Sequence, residues 1–129
     1  MSTFSHSVAR FAVWNLAGNT PFSPGRGIAT TSEKAANQAR GLALLDAEFV
    51  TLVEVSPITH IDWLAQSLRD DYGVDYNVTI LPQPDSHLHI GFLHKPGIDV
   101  TAPRFVPGSQ GDYDGGRQAF AADVEIGSK

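Results

Sequence analysis

Two runs of β-forming residues, Phe11-Ala-Val-Trp-Asn-Leu16 and Phe49-Val-Thr-Leu-Val-Glu-Val55, carry apolar side chains on both of their alternating faces. That is the pattern of strands in the interior of a sheet, covered on both sides. In the first run, from about Arg10 to Leu16, alternation sorts Phe11, Val13 and Asn15 to one face and Ala12, Trp14 and Leu16 to the other. Asn15 breaks the apolar pattern there, and Glu54 breaks it in the second run. Between the runs, Ala35, Ala39, Leu42 and Ala43 recur at helical spacing and predict a helix over 31–45. Thr30-Thr-Ser-Glu33 reads as its capping box, and the small residues along the helix let it lie close on a sheet. A helix joining two such strands is the crossover of a parallel βαβ unit.

After Pro57, Thr59-His-Ile-Asp62 opens a second helix, with Ile61, Leu64, Ala65 and Leu68 on its inner side and Gly73 as its stop. The pattern then turns antiparallel. Strands are expected over Tyr76 to Leu81, Leu88 to His94, Ile98 to Val106 and Gln118 to Ile126. The turns between them, Pro82 to Ser86 and Pro107 to Gly116, suggest a meander of successive neighbours. The expected class is α+β with a mixed sheet, in one domain spanning residues 1–129. One helix layer covers one sheet face. The other face therefore calls for a partner sheet, supplied by self-association or by a missing half-domain.

Composition narrows the function. With 42% apolar residues the chain can bury a core, and with no Cys it has no disulfide framework, thiolate metal site or Cys nucleophile. The absence of Cys and of a secretory leader pattern fits a cytoplasmic protein, and no membrane-spanning run appears. Nine Lys and Arg against fourteen Asp and Glu leave a net charge of −5. That balance weighs against tight, non-specific DNA binding, which needs a basic surface. Phosphate-ester substrates remain open, because a bound divalent cation reverses the local sign.

Asn15 and Glu54 sit near the carboxyl ends of neighbouring strands, where open α/β sheets bind ligands. Their oxygen donors suit Mg²⁺ or Ca²⁺. Other candidates have plainer readings. His87, His89 and His94 offer imidazoles for zinc but read better as exposed strand histidines, and His6 and His60 have no visible companions. Asp112-Tyr-Asp-Gly-Gly116 reads as a turn, since it lacks the spacing of a calcium loop. Gly25-Arg-Gly27 lacks the Lys-Ser/Thr of a phosphate-binding loop, and Asn77-Val-Thr79 is a glycosylation sequon in letters only.

Taken together, Val13-Trp-Asn-Leu16, Leu44-Leu-Asp-Ala-Glu-Phe-Val-Thr-Leu-Val-Glu-Val55, Ile90-Gly-Phe-Leu-His-Lys95 and a strand-opening Arg117 form an ordered set over nearly the whole chain. On these residues the chain resembles the amino-terminal half of the endonuclease/exonuclease/phosphatase superfamily, the deoxyribonuclease-like metal-dependent phosphodiesterases. The resemblance implies half of a four-layer fold of two stacked sheets with helices outside. It assigns Asn15 and Glu54 to one or two catalytic cations, Mg (or Mn or Ca), and Arg117 to the substrate side. The family commonly has Gln before the metal-binding Glu, where this chain has Val53. The family's later His, Asp-x-Asn and Asp-His motifs have no counterpart in these 129 residues. The expectation is therefore a fragment, truncated product or degenerate relative with little or no hydrolytic activity of its own. The alternative is a non-catalytic binding or assembly module on the same half-fold.

Overall fold

The computed structural model describes residues 8–16, 31–84, 86, 88–109 and 119–127. Along the chain these form β1 (Phe11–Asn15), α1 (Thr31–Leu45), β2 (Phe49–Val55), α2 (His60–Tyr72), β3 (Asn77–Leu81), β4 (His89–His94), β5 (Ile98–Phe105) and β6 (Phe120–Ile126). The fold is α+β. Hydrophobic spacing locates both helices and β2 well because each buries a continuous apolar face. Gly73 ends α2 in the left-handed conformation at φ 67°, and its N–H caps the helix on Arg69 O. Thr30 and the side chain of Glu33, the proposed capping box of α1, lie outside the described residues.

β1 and β2 pair in parallel, with Phe11 opposite Phe49 and Asn15 opposite Val53. The four-stranded sheet runs β1-β2-β4-β3, and β5 and β6 form a separate two-stranded sheet. This corrects two expectations. The later strands are not one meander: β4 sits between β3 and β2, so the chain leaves the first sheet after β4 and begins a second. Among the described strands β1 lies at an edge rather than in the interior, and its Phe11 and Val13 are 51% and 74% exposed. β1 reads as interior because Trp14 and Ala12 on its other face pack against the helix-side core.

Two cores hold the layers. Between the helices and the first sheet, Ala39, Leu42, Leu52, Ile61, Leu64, Leu68 and Leu93 are fully buried. Each large aliphatic side chain so removed from water stabilises the fold by about 1.5–3 kcal/mol. Gly91 sits beneath α2, where an added Cβ would overlap Ile61 Cδ1. On the opposite face, Phe49, Leu81, Ile90, Phe92 and Ile98 pack against Val100, Phe105, Phe120, Ala122 and Val124. The β5–β6 hairpin therefore covers part of the face expected to stand open, while at the β1 margin Phe11 and Val13 keep their side chains in solvent. Ring centroids of Phe11–Phe49, Phe49–Phe92 and Phe92–Phe120 lie 5.2, 5.7 and 6.3 Å apart, a ladder that runs from β1 across to β6. Among the described residues no helix is long and apolar enough to cross a membrane.

Candidate functional site

Strict alternation would separate Asn15 from Glu54. Because Phe11 opposes Phe49, the residues sharing Asn15's face are Phe49, Thr51 and Val53, and Glu54 belongs to the helix side with Val50 and Leu52. A β-bulge changes this. Leu52 pairs with Gly91 and Val55 with His89, so three steps along β2 oppose two along β4. Glu54 takes up the extra residue with a left-handed φ of 57°. Such a conformation costs an L-residue roughly 1–2 kcal/mol and re-aims its side chain. Val55 then returns to the helix-side core, fully buried. Asn15 Nδ2 donates to Glu54 Oε2 at 3.0 Å, so the two residues meet side chain to side chain.

They line a cleft of ≈ 280 Å³ together with the described residues Val53, Gln83, His89, Ile90 and Phe120. Among these described lining residues Glu54 carries the single carboxylate, and no Lys or Arg faces it. The donor set is a carboxylate and a neutral amide whose oxygen and nitrogen exchange by a simple flip. Turned over, the amide presents Oδ1 beside the Glu54 oxygens, two hard ligands in a space that also admits waters. These donors fit a divalent cation that keeps part of its hydration shell, as Mg²⁺ does. Among the described residues no three His, Cys, Asp or Glu come together, so of the described side chains this pair would hold a cation here.

The end of β1 is braced from behind. Leu16 N donates to Val53 O at 2.9 Å, and Gln38 Nε2 on α1 donates to Leu16 O at 3.3 Å. Gln38 Oε1 in turn meets His60 Nε2 at 2.6 Å. His60, expected to have no companions, is 2% exposed and links the start of α2 to the strand that carries Asn15.

The other histidines also depart from expectation. His94 is buried, not exposed. Its Nδ1 faces Ile98 O at 2.7 Å and its Nε2 faces Thr79 Oγ1 at 2.9 Å, so both ring nitrogens serve the strand scaffold. His89 is half-buried in the lining of the cleft, and its Nδ1 accepts the Gln83 N–H at 3.0 Å. His6, His87, Arg117, the Gly25–Gly27 loop and the Asp112–Gly116 turn lie outside the described residues. Asn77 is exposed at the start of β3.

Charge is also arranged at the far, amino end of β2. Lys95 Nζ pairs with Asp46 Oδ1, and this partner holds the Asp46 carboxyl below its usual range. Tyr76 OH donates to Ala47 O, and burial, reinforced by the charges of Asp46 and Glu48, pushes its phenol up to about 12. These groups fasten the sheet and leave the cleft to the opposite end.

Gln83, His89 and Phe120 were not singled out together by the sequence. The available signal was topological: a strand antiparallel to β2 must begin beside the end of β2, which brings His89 next to Glu54. Neither the protein-family models nor the curated proteins with which the chain was compared gave a match.

Proposed function

We propose that this chain carries the cation-holding corner of a divalent-metal-dependent phosphoesterase, with Asn15 and Glu54 as the protein ligands. One observation carries the reading. Two oxygen-bearing side chains at the carboxyl ends of adjacent parallel strands touch, and the Glu reaches its partner only through a bulge with a left-handed backbone. Backbone strain of that kind persists where the surrounding structure imposes it, and it concentrates at functional positions.

When bound, the cation supplies polarisation of a phosphoryl oxygen. Glu54 neutralises part of its charge, Asn15 fixes its position, and the His60–Gln38–Leu16 chain keeps the Asn15 end of β1 in place. Ile90 and Phe120 supply apolar lining to the cleft. Arg117 is assigned to substrate orientation by the resemblance alone. The substrate class is a phosphodiester or phosphomonoester, with Mg²⁺ the expected ion and Mn²⁺ or Ca²⁺ as substitutes.

Titration with Mn²⁺, followed by electron paramagnetic resonance and calorimetry, tests the reading without requiring turnover. Wild-type chain is expected to bind Mn²⁺, Glu54→Gln to weaken binding roughly tenfold or more, and Asn15→Asp to tighten it by adding a charge. Equal affinity in wild type and Glu54→Gln would refute the assignment. Hydrolysis of a chromogenic phosphodiester with and without Mg²⁺ then separates a chain active alone from one that only holds the ion.

A second reading, an assembly module, is favoured by the exposure of Phe11 and Val13 on the β1 margin. It expects a dimer or larger species in sedimentation equilibrium, reduced to monomer by Val13→Lys. A wild-type monomer that binds no hydrophobic dye would sink it.

A further inference from the structure

Along a parallel pair, alternate residues of a strand turn both their N–H and their C=O to the same neighbour. On β1 the even-numbered residues face β2: Leu16 N–H donates to Val53 O at 2.9 Å, and Arg10 O accepts from Glu48 N–H at 2.9 Å and from Phe49 N–H at 3.4 Å. The backbone groups of Phe11 and Val13 therefore point away from β2, along an edge that no described strand covers. Edge strands are usually guarded by a charge, a proline or a bulge. The run Phe11-Ala-Val-Trp-Asn15 holds no charged residue and no Pro, and the bulge of this sheet lies between β2 and β4. Apolar side chains also flank the edge on both faces. Phe11 and Val13 stand in solvent on one. On the helix side the last turn of α1, tied to β1 by Arg10 Nη1 donating to Leu45 O at 2.8 Å, leaves Leu44 80% exposed.

We infer that β1 of a second copy of this chain occupies that edge, antiparallel, about a twofold axis at Ala12. The inference rests on the assembly reading, whose interface it names, and does not involve the cation. The edge asks for an uncharged extended segment with apolar side chains on both faces, and β1 is itself such a segment. In this register Phe11 lies opposite Val13 of the second copy, and Val13 opposite its Phe11. These are the residues whose outward N–H and C=O groups exchange both hydrogen bonds across each pair, and no backbone group of Asn15 is required. An aromatic ring beside a β-branched side chain is a favourable cross-strand pair. On the helix side Ala12 meets Ala12, small enough for the close spacing of a non-hydrogen-bonded pair. Arg10, the one charge between Val8 and Leu16, falls opposite Trp14, where it meets an aromatic ring rather than a second cation. Moving the axis to Phe11 or to Val13 would lose both Phe–Val pairs. The two four-stranded sheets become one continuous sheet, with the Asn15–Glu54 clefts at its opposite ends.

Sedimentation equilibrium of the whole chain, joined to amide hydrogen exchange read residue by residue, tests the pairing. Wild type is expected to dimerise as its concentration rises, and the amides of Phe11 and Val13 to gain roughly tenfold or more in protection as it does. Those of Ala12 and Trp14 face β2 in either state and should change little. Val13→Pro removes an outward N–H and leaves the bonds to β2 in place, a substitution that edge strands accept. It should weaken the dimer roughly tenfold or more, since the twofold axis repeats the loss, with circular dichroism unchanged. The chain has no Cys, so Ala12→Cys sets a single thiol at the axis. Oxidation with diamide should link that variant faster than Phe11→Cys or Val13→Cys, because only position 12 meets itself. A wild-type chain still monomeric at about 1 mM overturns the inference and the assembly reading together. A dimer whose Phe11 and Val13 amides stay unprotected overturns the inference alone and leaves assembly to another surface. Faster linkage at Phe11→Cys or Val13→Cys overturns the Ala12 axis. Should Val13→Pro fail to fold, wild-type exchange and the Cys series still decide.

Discussion

Replacing Glu54 by Gly and by Ala separates the backbone of the bulge from its carboxylate. Both variants lose the 3.0 Å hydrogen bond from Asn15 and any bound cation, so their difference reports the backbone alone. At φ 57° a residue with a Cβ carries a left-handed penalty of roughly 1–2 kcal/mol that Gly escapes. Gly gives back roughly 0.5–1 kcal/mol through the greater freedom of its unfolded chain. Glu54→Gly should therefore be more stable than Glu54→Ala by about 0.5–1 kcal/mol, or about 2–4 °C in Tm for a chain of this size. Urea unfolding followed by circular dichroism, analysed for midpoint at constant slope, resolves that difference. An Ala variant as stable as the Gly variant would show that Glu54 is not held in the left-handed region. The bulge could then no longer explain how the two side chains meet.

Gly91→Ala should cost about 1–3 kcal/mol, because its methyl group enters the space of Ile61 Cδ1 and that buried side chain must turn aside in a packed core; Ile61→Val in the same chain should recover part of the loss in urea melts. Tyr76→Phe removes the bond to Ala47 O and should destabilise the fold by about 1–2 kcal/mol. The folded phenol is raised from 10.0 to about 12, so its contribution is complete below pH 10 and lost as pH climbs toward 12. Wild type should lose stability over that window, and Tyr76→Phe should not. Asp46 has the opposite sign: its folded carboxyl lies below 3.8, so its pairing with Lys95 contributes above that pH and disappears as acid protonates it. Lys95→Met should move the Asp46 titration, read by carboxyl NMR, back toward the ordinary value.

Legibility in the sequence followed the physics of each element. α1 and β2 could be bounded from Ala35, Ala39, Leu42 and the run from Phe49 to Val55, because burial along a continuous face leaves a periodic trace. The edge position of β1 left none: Phe11 and Val13 are as apolar as interior residues and nothing local marks their exposure. Pairing order was hidden for the same reason, since β4 joins β2 through long-range hydrogen bonds that no turn residue announces. At the site, the residue types Asn15 and Glu54 were readable, but the bulge that unites them was not. Val53-Glu54-Val55 contains no Gly, the usual sign of a left-handed backbone position. His94 illustrates the converse, a polar residue read as surface that is buried because Thr79 and Ile98 satisfy both nitrogens.

The aromatic ladder gives the cleft a mechanical character. Phe120 lines it from β6, whereas Asn15, Glu54 and His89 belong to the other sheet, and ring contacts through Phe92 are among the bonds between the two. The gap between jaw and anvil is thus set by the thickness of interleaved rings, which no backbone ladder pins. Trimming Phe92 or Val124, neither of which is among the described residues lining the cleft, should reset its width while leaving its polar lining untouched, so that the size of any occupant could be tuned entirely by residues that never meet it.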